Sequence, residues 1–349
     1  ESRDETVSRT IDVPGIATLS TGLTTLVLAL VEGNAWGWGS ARIVALLAVA
    51  LVALPGFVLV ERRVSKVPMV DFSFFRSRTF LGANTVGFIV SFAMLAMFFF
   101  LALYMQNILG YSALQAGVRF LPTTLVIMIT APLAGRLSDR IGPRWPIVVG
   151  MSAVALSLYM FSGVEVGTTF SGLWLSFMIL GFGIGLTMSP MSTAAMNAVA
   201  TTKAGVASGV LSMFRMIGGT FGVAALGAFF QNQAQVTLDQ SLSGQTGLTA
   251  SERADFAHQL TGGAPHLDGM SQAQAAKLTV AGHEAFVYGL SHAMVLSVGL
   301  AVIGVFVALV LIRGHGASVD TEPVASIDAE PAAARQEPDR VPEAAASVA

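Results

Sequence analysis

The sequence has 349 residues, 54% hydrophobic and 11% charged, with a net charge of −2 and a mean hydropathy of +0.70. A soluble domain carries about 25% charged residues, so the chain falls in the membrane class. The near-neutral charge excludes bulk attraction to nucleic acid, and the lack of cysteine excludes a disulfide framework or a thiolate metal site in this sequence.

The first stretch, ESRDETVSRTID, is polar and has no signal-peptide pattern. A spanning helix needs roughly 20 apolar residues to cross about 30 Å of hydrocarbon. Eight runs qualify in chain order: 14–32, 41–61, 80–104, 114–135, 145–163, 170–195, 205–230 and 286–312. Gly, Pro, Ser and Thr interrupt several of them, which is tolerated where neighbouring helices cover the backbone. The expected fold class is an all-α integral membrane bundle of about eight transmembrane helices. Residues 62–79 read as an amphipathic connection. Residues 231–285 are polar, with weak helical runs at 251–260 and 270–280, and read as a partly ordered external loop. Residues 313–349 are rich in Pro, Ala, Glu and Asp; that composition cannot bury a core, so a disordered tail is expected.

Basic residues set the expected orientation. Fourteen of the 19 Lys and Arg residues lie in the first stretch, the tail and the connections between them on one side; Arg42, Arg253 and Lys277 lie in the alternate connections. Both termini of this chain are therefore expected in the cytoplasm. Trp36 and Trp38 in NAWGWG fit an aromatic belt at the outer interface.

The densest charge between two spans is GRLSDRIGPR, residues 135–144. A short turn needs glycine at strained backbone positions, a role expected of Gly135 and Gly142. Asp139 can accept hydrogen bonds from helix amides or an arginine, and Arg136, Arg140 and Arg144 suit an anionic inner leaflet. Charge alone is equally consistent with a loop that only fixes topology.

The order Gly135, Leu137, Asp139, Arg140, Gly142, Arg144 resembles the cytoplasmic loop signature of the major facilitator superfamily. YMQNILGYSALQAGVRFLP (104–122), GFGIGLTMSPMSTAAMNAV (181–199) and KAGVASGVLSMFRMIGGTFGVA (203–224) look like its fourteen-helix drug–proton antiporter branch. DFSFFRSRTF (71–80) resembles the lead-in to the second six-helix half. The resemblance covers residues 10–313. It implies that 80–312 form one six-helix half, that 14–61 are two extra linker helices, and that six more helices precede Glu1. It further implies that residues 135–144 gate the pathway. The activity implied is efflux of hydrophobic or cationic drugs in exchange for protons, with no cofactor, in a bacterial cytoplasmic membrane. The partners implied are lipid, a small-molecule substrate, protons and the preceding half.

Several residues are candidates for the transport pathway. Arg215 lies well inside the seventh span, where a charge costs roughly 2.5–3.5 kcal/mol on insertion scales. It either faces a partner or a water-filled cavity, or snorkels to the inner surface. Arg119 lies near a span end and can snorkel. Asn84 and Gln106 either line the pathway or bond a neighbouring helix. His292 either titrates or bonds another helix. Gly181, Gly183 and Gly185, and Gly218, Gly219 and Gly222, permit close helix approach, and Pro190 can kink a helix. Moving helix contacts and ordinary packing both fit that set.

No ATP-binding loop or hydrolase motif is present, so the chain does not read as an enzyme. Its acids fall at span ends or in loops, so a proton site is expected on the preceding half. Two alternatives stay open: export of one metabolite or natural product, and a non-transporting membrane fragment or scaffold.

Overall fold

The computed structural model describes residues 12–63, 70, 72–242 and 272–314. Nine α-helices lie in these residues: α1 Val13–Trp36, α2 Ala41–Arg63, α3 Arg78–Asn107, α4 Ala113–Arg119, α5 Leu121–Ile141, α6 Arg144–Ser162, α7 Phe170–Asn197, α8 Ala204–Leu242 and α9 Gln272–Leu311. No strand occurs among the described residues. Eight helical segments, with α4 and α5 counted as one, are long and apolar enough to cross a membrane.

The sequence explains where the helices begin and end. Asp12 caps α1 by accepting the N–H of Gly15 at 3.0 Å. Ser112 and Gln115 form a capping box at the start of α4. Gly37 and Gly142 end α1 and α5 with φ of +82° and +83°, backbone that favours glycine. Pro122 has no N–H to give the carbonyl of Val118, so the fourth predicted span breaks at Phe120 into α4 and α5.

Helix α3 is the most buried span and packs against α7, α8 and α9. Around it, α5 lies on α7, α6 lies between α7 and α9, and α8 lies on α9. The α1–α2 pair joins this bundle through contact of α1 with α8. At one end, Arg313 N–H donates to Thr79 Oγ1 at 3.4 Å and returns the end of α9 to the start of α3. Aromatic rings fill the core, with Phe100 stacked on Phe230 at 5.1 Å and Phe230 edge-on to Phe286 at 5.0 Å.

The expected 231–285 loop is largely shorter. Helix α8 continues to Leu242 and α9 starts at Gln272, while the 251–260 run lies outside the described residues. The continuation is amphipathic rather than greasy. Ala234 and Leu238, one turn apart, are buried, as are Leu278, Ala281 and Ala285 on α9. Mean hydropathy misses a helix that has only one apolar face. Most of the expected tail, 315–349, also lies outside the described residues.

Candidate functional site

Lipid tails are as apolar as a protein core, so helices in a bilayer associate by close packing and interhelical hydrogen bonds. The α3–α8 seam follows that rule. A β-carbon at Gly218 would collide with the carbonyl oxygen of Phe88, and one at Gly222 with that of Phe92. A β-carbon at Gly219 would lie 2.9 Å from Leu95 Cδ2. All three predicted glycines of α8 therefore sit on one seam.

The glycines of α7 divide between two neighbours, because residues two apart in a helix face different directions. Gly181 and Gly185 face α5: their β-carbons would lie 2.5 Å from the Thr123 carbonyl oxygen and 2.7 Å from Thr130 Cβ. Gly183 faces α6, where a β-carbon would lie 2.7 Å from the Gly150 carbonyl oxygen. Hydrogen bonds latch both sides. Thr123 Oγ1 donates to the Phe177 carbonyl at 2.9 Å, and Ser157 Oγ donates to the Ser176 carbonyl at 2.7 Å. Pro190 is buried inside α7, and the helix continues through it.

Two pathway candidates meet the α3–α8 seam. Gly87 on α3 lies where α7 and α8 converge: its β-carbon would be 3.1 Å from Leu211 Cδ1, 3.2 Å from Met191 Sδ and 3.3 Å from Arg215 Cγ. Arg215 thus lays its stem against α3. It is half-buried, its Nε is shielded from solvent, and it has no hydrogen-bond or ionic partner among the described residues. Asn84 lies one turn before Gly87 and is fully buried. Its Nδ2 donates to the Phe80 carbonyl at 2.8 Å, while its Oδ1 has no partner.

The face of α8 next to Arg215 differs from the exposed faces of α5 and α2. Gly205, Ser208, Gly209, Ser212 and Thr220 are exposed, with Val206 and Met216 as the large apolar members. By contrast, α5 exposes Leu121, Leu125, Met128, Ile129 and Leu133, and α2 exposes Val44, Leu51, Val52 and Leu59. Aliphatic faces suit lipid. A face of hydroxyls and glycines suits water or another helix.

The 135–144 signature is mostly helix, a correction to the loop reading. Gly135, Leu137, Asp139 and Arg140 lie in α5, and the turn is only Gly142 and Pro143 before α6 starts at Arg144. Of the two glycines, only Gly142 has a positive φ. Gly135 is helical and admits α7 instead: its β-carbon would lie 3.0 Å from Ser189 Oγ. Asp139, Arg136 and Arg140 are exposed, while Arg144 is half-buried with its guanidinium 5.7 Å from the Trp145 ring. The Ser138 hydroxyl is buried without a partner.

The other pathway candidates are not brought to this seam. Gln106 Nε2 donates to its own helix, at the Ala102 carbonyl, 3.1 Å away. Arg119 Nη1 donates to the Gln115 carbonyl at 2.9 Å, and its guanidinium lies 3.6 Å from the Tyr111 ring centroid. His292 Nδ1 lies 2.9 Å from the carbonyl of Tyr288, and the two rings are 4.1 Å apart.

Sequence reasoning missed several residues. Asn34 ties α1 to α8: its Nδ2 donates to the Ala228 carbonyl at 2.8 Å, and its Oδ1 accepts from Trp38 Nε1 at 2.7 Å. Tyr104 OH donates to the carbonyls of Glu165 and Thr168, at 2.8 and 3.1 Å, and pins the α6–α7 connection. Asp12 and Glu61 are 8% and 4% exposed, although the sequence places them at the margins of spans. Gly15 separates them: its β-carbon would lie 2.5 Å from Asp12 Oδ2 and 2.9 Å from Glu61 Oε1. A polar residue closing an apolar run was the available signal for Tyr104; Asn34 lies beyond the first predicted run, and nothing local signals its reach to α8 or the burial of the two acids.

Comparison with known proteins agrees with this architecture. The profile of the Major Facilitator Superfamily matches residues 13–223. The tetracenomycin C resistance and export protein of Streptomyces glaucescens is 33% identical over 67% of this chain and 43% of its own length. The multidrug transporter protein MdtP of Bacillus subtilis is 31% identical over 75% of this chain and 48% of its own length. The cephamycin export protein CmcT of Amycolatopsis lactamdurans is 32% identical over 62% and 45%, respectively. The chain thus spans less than half the length of these relatives. A solved bacterial homologue of the human lysosomal transporter Spinster, inward-facing and occupied, superposes with a TM-score of 0.51 at 16% identity, covering 84% of this chain and 66% of that one, which supports the fold alone. The profile match covers well over half of the chain, and with these relatives it shows that the chain belongs to the major facilitator superfamily.

Proposed function

We propose that the complete protein is a secondary transporter that exports drugs or other hydrophobic or cationic small molecules by alternating access, and that this chain supplies one helical half and the α1–α2 pair. The observation that carries the reading is the exposed face of α8. Hydroxyls and glycines beside an unpartnered arginine make a poor lipid surface and a good wall for a water-filled path. The glycine seams leave flat helix surfaces that can shift, as rocking of two bundles requires. Relatives named as multidrug and antibiotic exporters support efflux.

The proton gradient supplies the energy, and no cofactor is needed. Arg215 faces the pathway, while the buried Asn84, like Gln106, Arg119 and His292, bonds within its own helix. The α5–α6 turn at Gly142 steadies one access state. The basic end of the bundle, with Arg62, Arg140, Arg144 and Lys203, lies at the cytoplasmic face of a bacterial membrane, so both termini of this chain are cytoplasmic. Relatives named for tetracenomycin C and cephamycin favour a second reading, export of a single natural product.

Cells producing the complete protein should retain less of a lipophilic cationic dye than cells without it, and a protonophore should abolish the difference. Equal retention across a panel of dyes and antibiotics overturns the multidrug reading. Efflux that survives the protonophore overturns proton coupling.

A further inference from the structure

Among the described residues, Arg215 is a cation without an anion. It lies 12 residues beyond Lys203, which marks the basic end of α8, or about 18 Å along the axis at 1.5 Å per residue. That depth is far from lipid phosphates, which lie outside the hydrocarbon layer. Among the described residues, Asp12, Glu32, Glu61, Asp139, Glu165 and Asp239 lie near helix ends or in connections, and Glu284, exposed on α9, lies 27 residues before the Leu311 end of that helix, about 40 Å along the axis from it. Unlike the other half-buried arginines, it has no aromatic ring and no carbonyl to rest on: Arg119 has Tyr111 and Gln115, and Arg144 has Trp145.

The surroundings hold the charge ready. Gly87 lets the stem lie against α3, so the side chain is braced along one edge. On the other side nothing lies within 4 Å of the β-carbon positions of Gly205 and Gly209, and Ser212 is exposed one turn from Arg215. A guanidinium in such a site forms short, paired hydrogen bonds to a planar oxyanion, stronger in a low-dielectric setting than in water.

We propose that Arg215 receives an anionic oxygen group of the transported molecule, a carboxylate or a phenolate, so that anionic or zwitterionic compounds are substrates alongside cations. This assignment rests on the transporter reading and narrows it. A carboxylate side chain elsewhere in the complete protein offers the same chemistry, and the test separates the two sources.

The test uses the complete protein in cells, with membrane abundance followed by a tag, and compares energy-dependent efflux of carboxyfluorescein with that of ethidium. The unaltered protein should export both. Arg215→Gln should lower carboxyfluorescein efflux about tenfold relative to ethidium efflux, the loss of one charge-assisted hydrogen-bonded contact. Arg215→Lys should recover part of the carboxyfluorescein efflux. The readout is the ratio of the two dyes, which misfolding does not move. Equal loss of both dyes in Arg215→Gln at unchanged membrane abundance assigns the arginine to an internal ion pair and overturns the proposal, as does unchanged carboxyfluorescein efflux. Export of ethidium but not carboxyfluorescein by the unaltered protein overturns this assignment alone. Export of neither overturns the multidrug reading and this assignment with it.

Discussion

Gly218 of α8 lies directly over the backbone carbonyl of Phe88 on α3, so close that no β-carbon fits between them. Gly222 repeats the contact one turn later over Phe92, and Arg215 leaves the same seam one turn earlier beside Gly87. The approach that packs the two helices also sets where the one unpartnered arginine of α8 projects.

Any side chain at Gly218 or Gly222 must push α3 and α8 apart. Gly222→Ala should lower the stability of the detergent-solubilised protein by about 1–3 kcal/mol, the usual cost of overpacking. Gly227 lies on the same helix with nothing within 4 Å of its β-carbon position, so Gly227→Ala should be neutral or slightly stabilising. Thermal unfolding of the two variants side by side checks the contrast.

The α5–α6 turn separates two glycines that look alike in sequence. Gly142→Ala forces a β-carbon onto φ of +83° and should cost about 1–2 kcal/mol. Gly135→Ala meets only the Ser189 hydroxyl at 3.0 Å, a group that can rotate away, and should cost less. Reversal of that order in a thermal shift measurement would refute the backbone argument.

Arg119 is held by Tyr111 and by the Gln115 carbonyl. Arg119→Ala should destabilise the end of α4 by about 0.5–2 kcal/mol, the range of a cation–π contact. Dye efflux per molecule in the membrane should be unchanged. A fall in efflux at constant abundance would return Arg119 to the pathway.

Asn34 fastens α1 to α8. Asn34→Leu removes the donor to Ala228 and the acceptor for Trp38, so the Trp36 end of α1 should come loose. Spin labels placed on α1 and α8 should then report a broader distance distribution, with little change within the α3–α8 pair. An unaltered distribution would mean that apolar packing alone holds α1.

The spans were legible because hydrocarbon thickness demands long apolar runs, and each predicted run falls to within a residue inside one helix, except 114–135, which Pro122 divides between α4 and α5. The extension of α8 to Leu242 was not, since Ala234 and Leu238 give an apolar face too narrow to raise mean hydropathy. Glycine clusters announced close packing, but spacing alone could not tell that Gly181 and Gly183 serve different neighbours. Partners in a helix seam come from residues far apart in the chain, 130 positions for Gly222 and Phe92 and 194 for Asn34 and Ala228, and a single sequence does not pair them. Arg215 drew attention as a charge in an apolar run; that Gly87 braces it, and that nothing described pairs with it, required coordinates.

The most direct measurement of the central claim, that the exposed face of α8 borders water, is thiol accessibility. The sequence contains no cysteine, so single cysteines can be introduced into this segment cleanly. A thiol reacts with a water-soluble reagent as the thiolate, which forms in water and not in hydrocarbon. In the complete protein, with any other cysteines replaced, Ser212→Cys and Thr220→Cys should label readily, and Leu51→Cys on the aliphatic face of α2 should not. Labelling at 212 and 220 no faster than at 51 would place this face of α8 in lipid or against another helix and contradict the account.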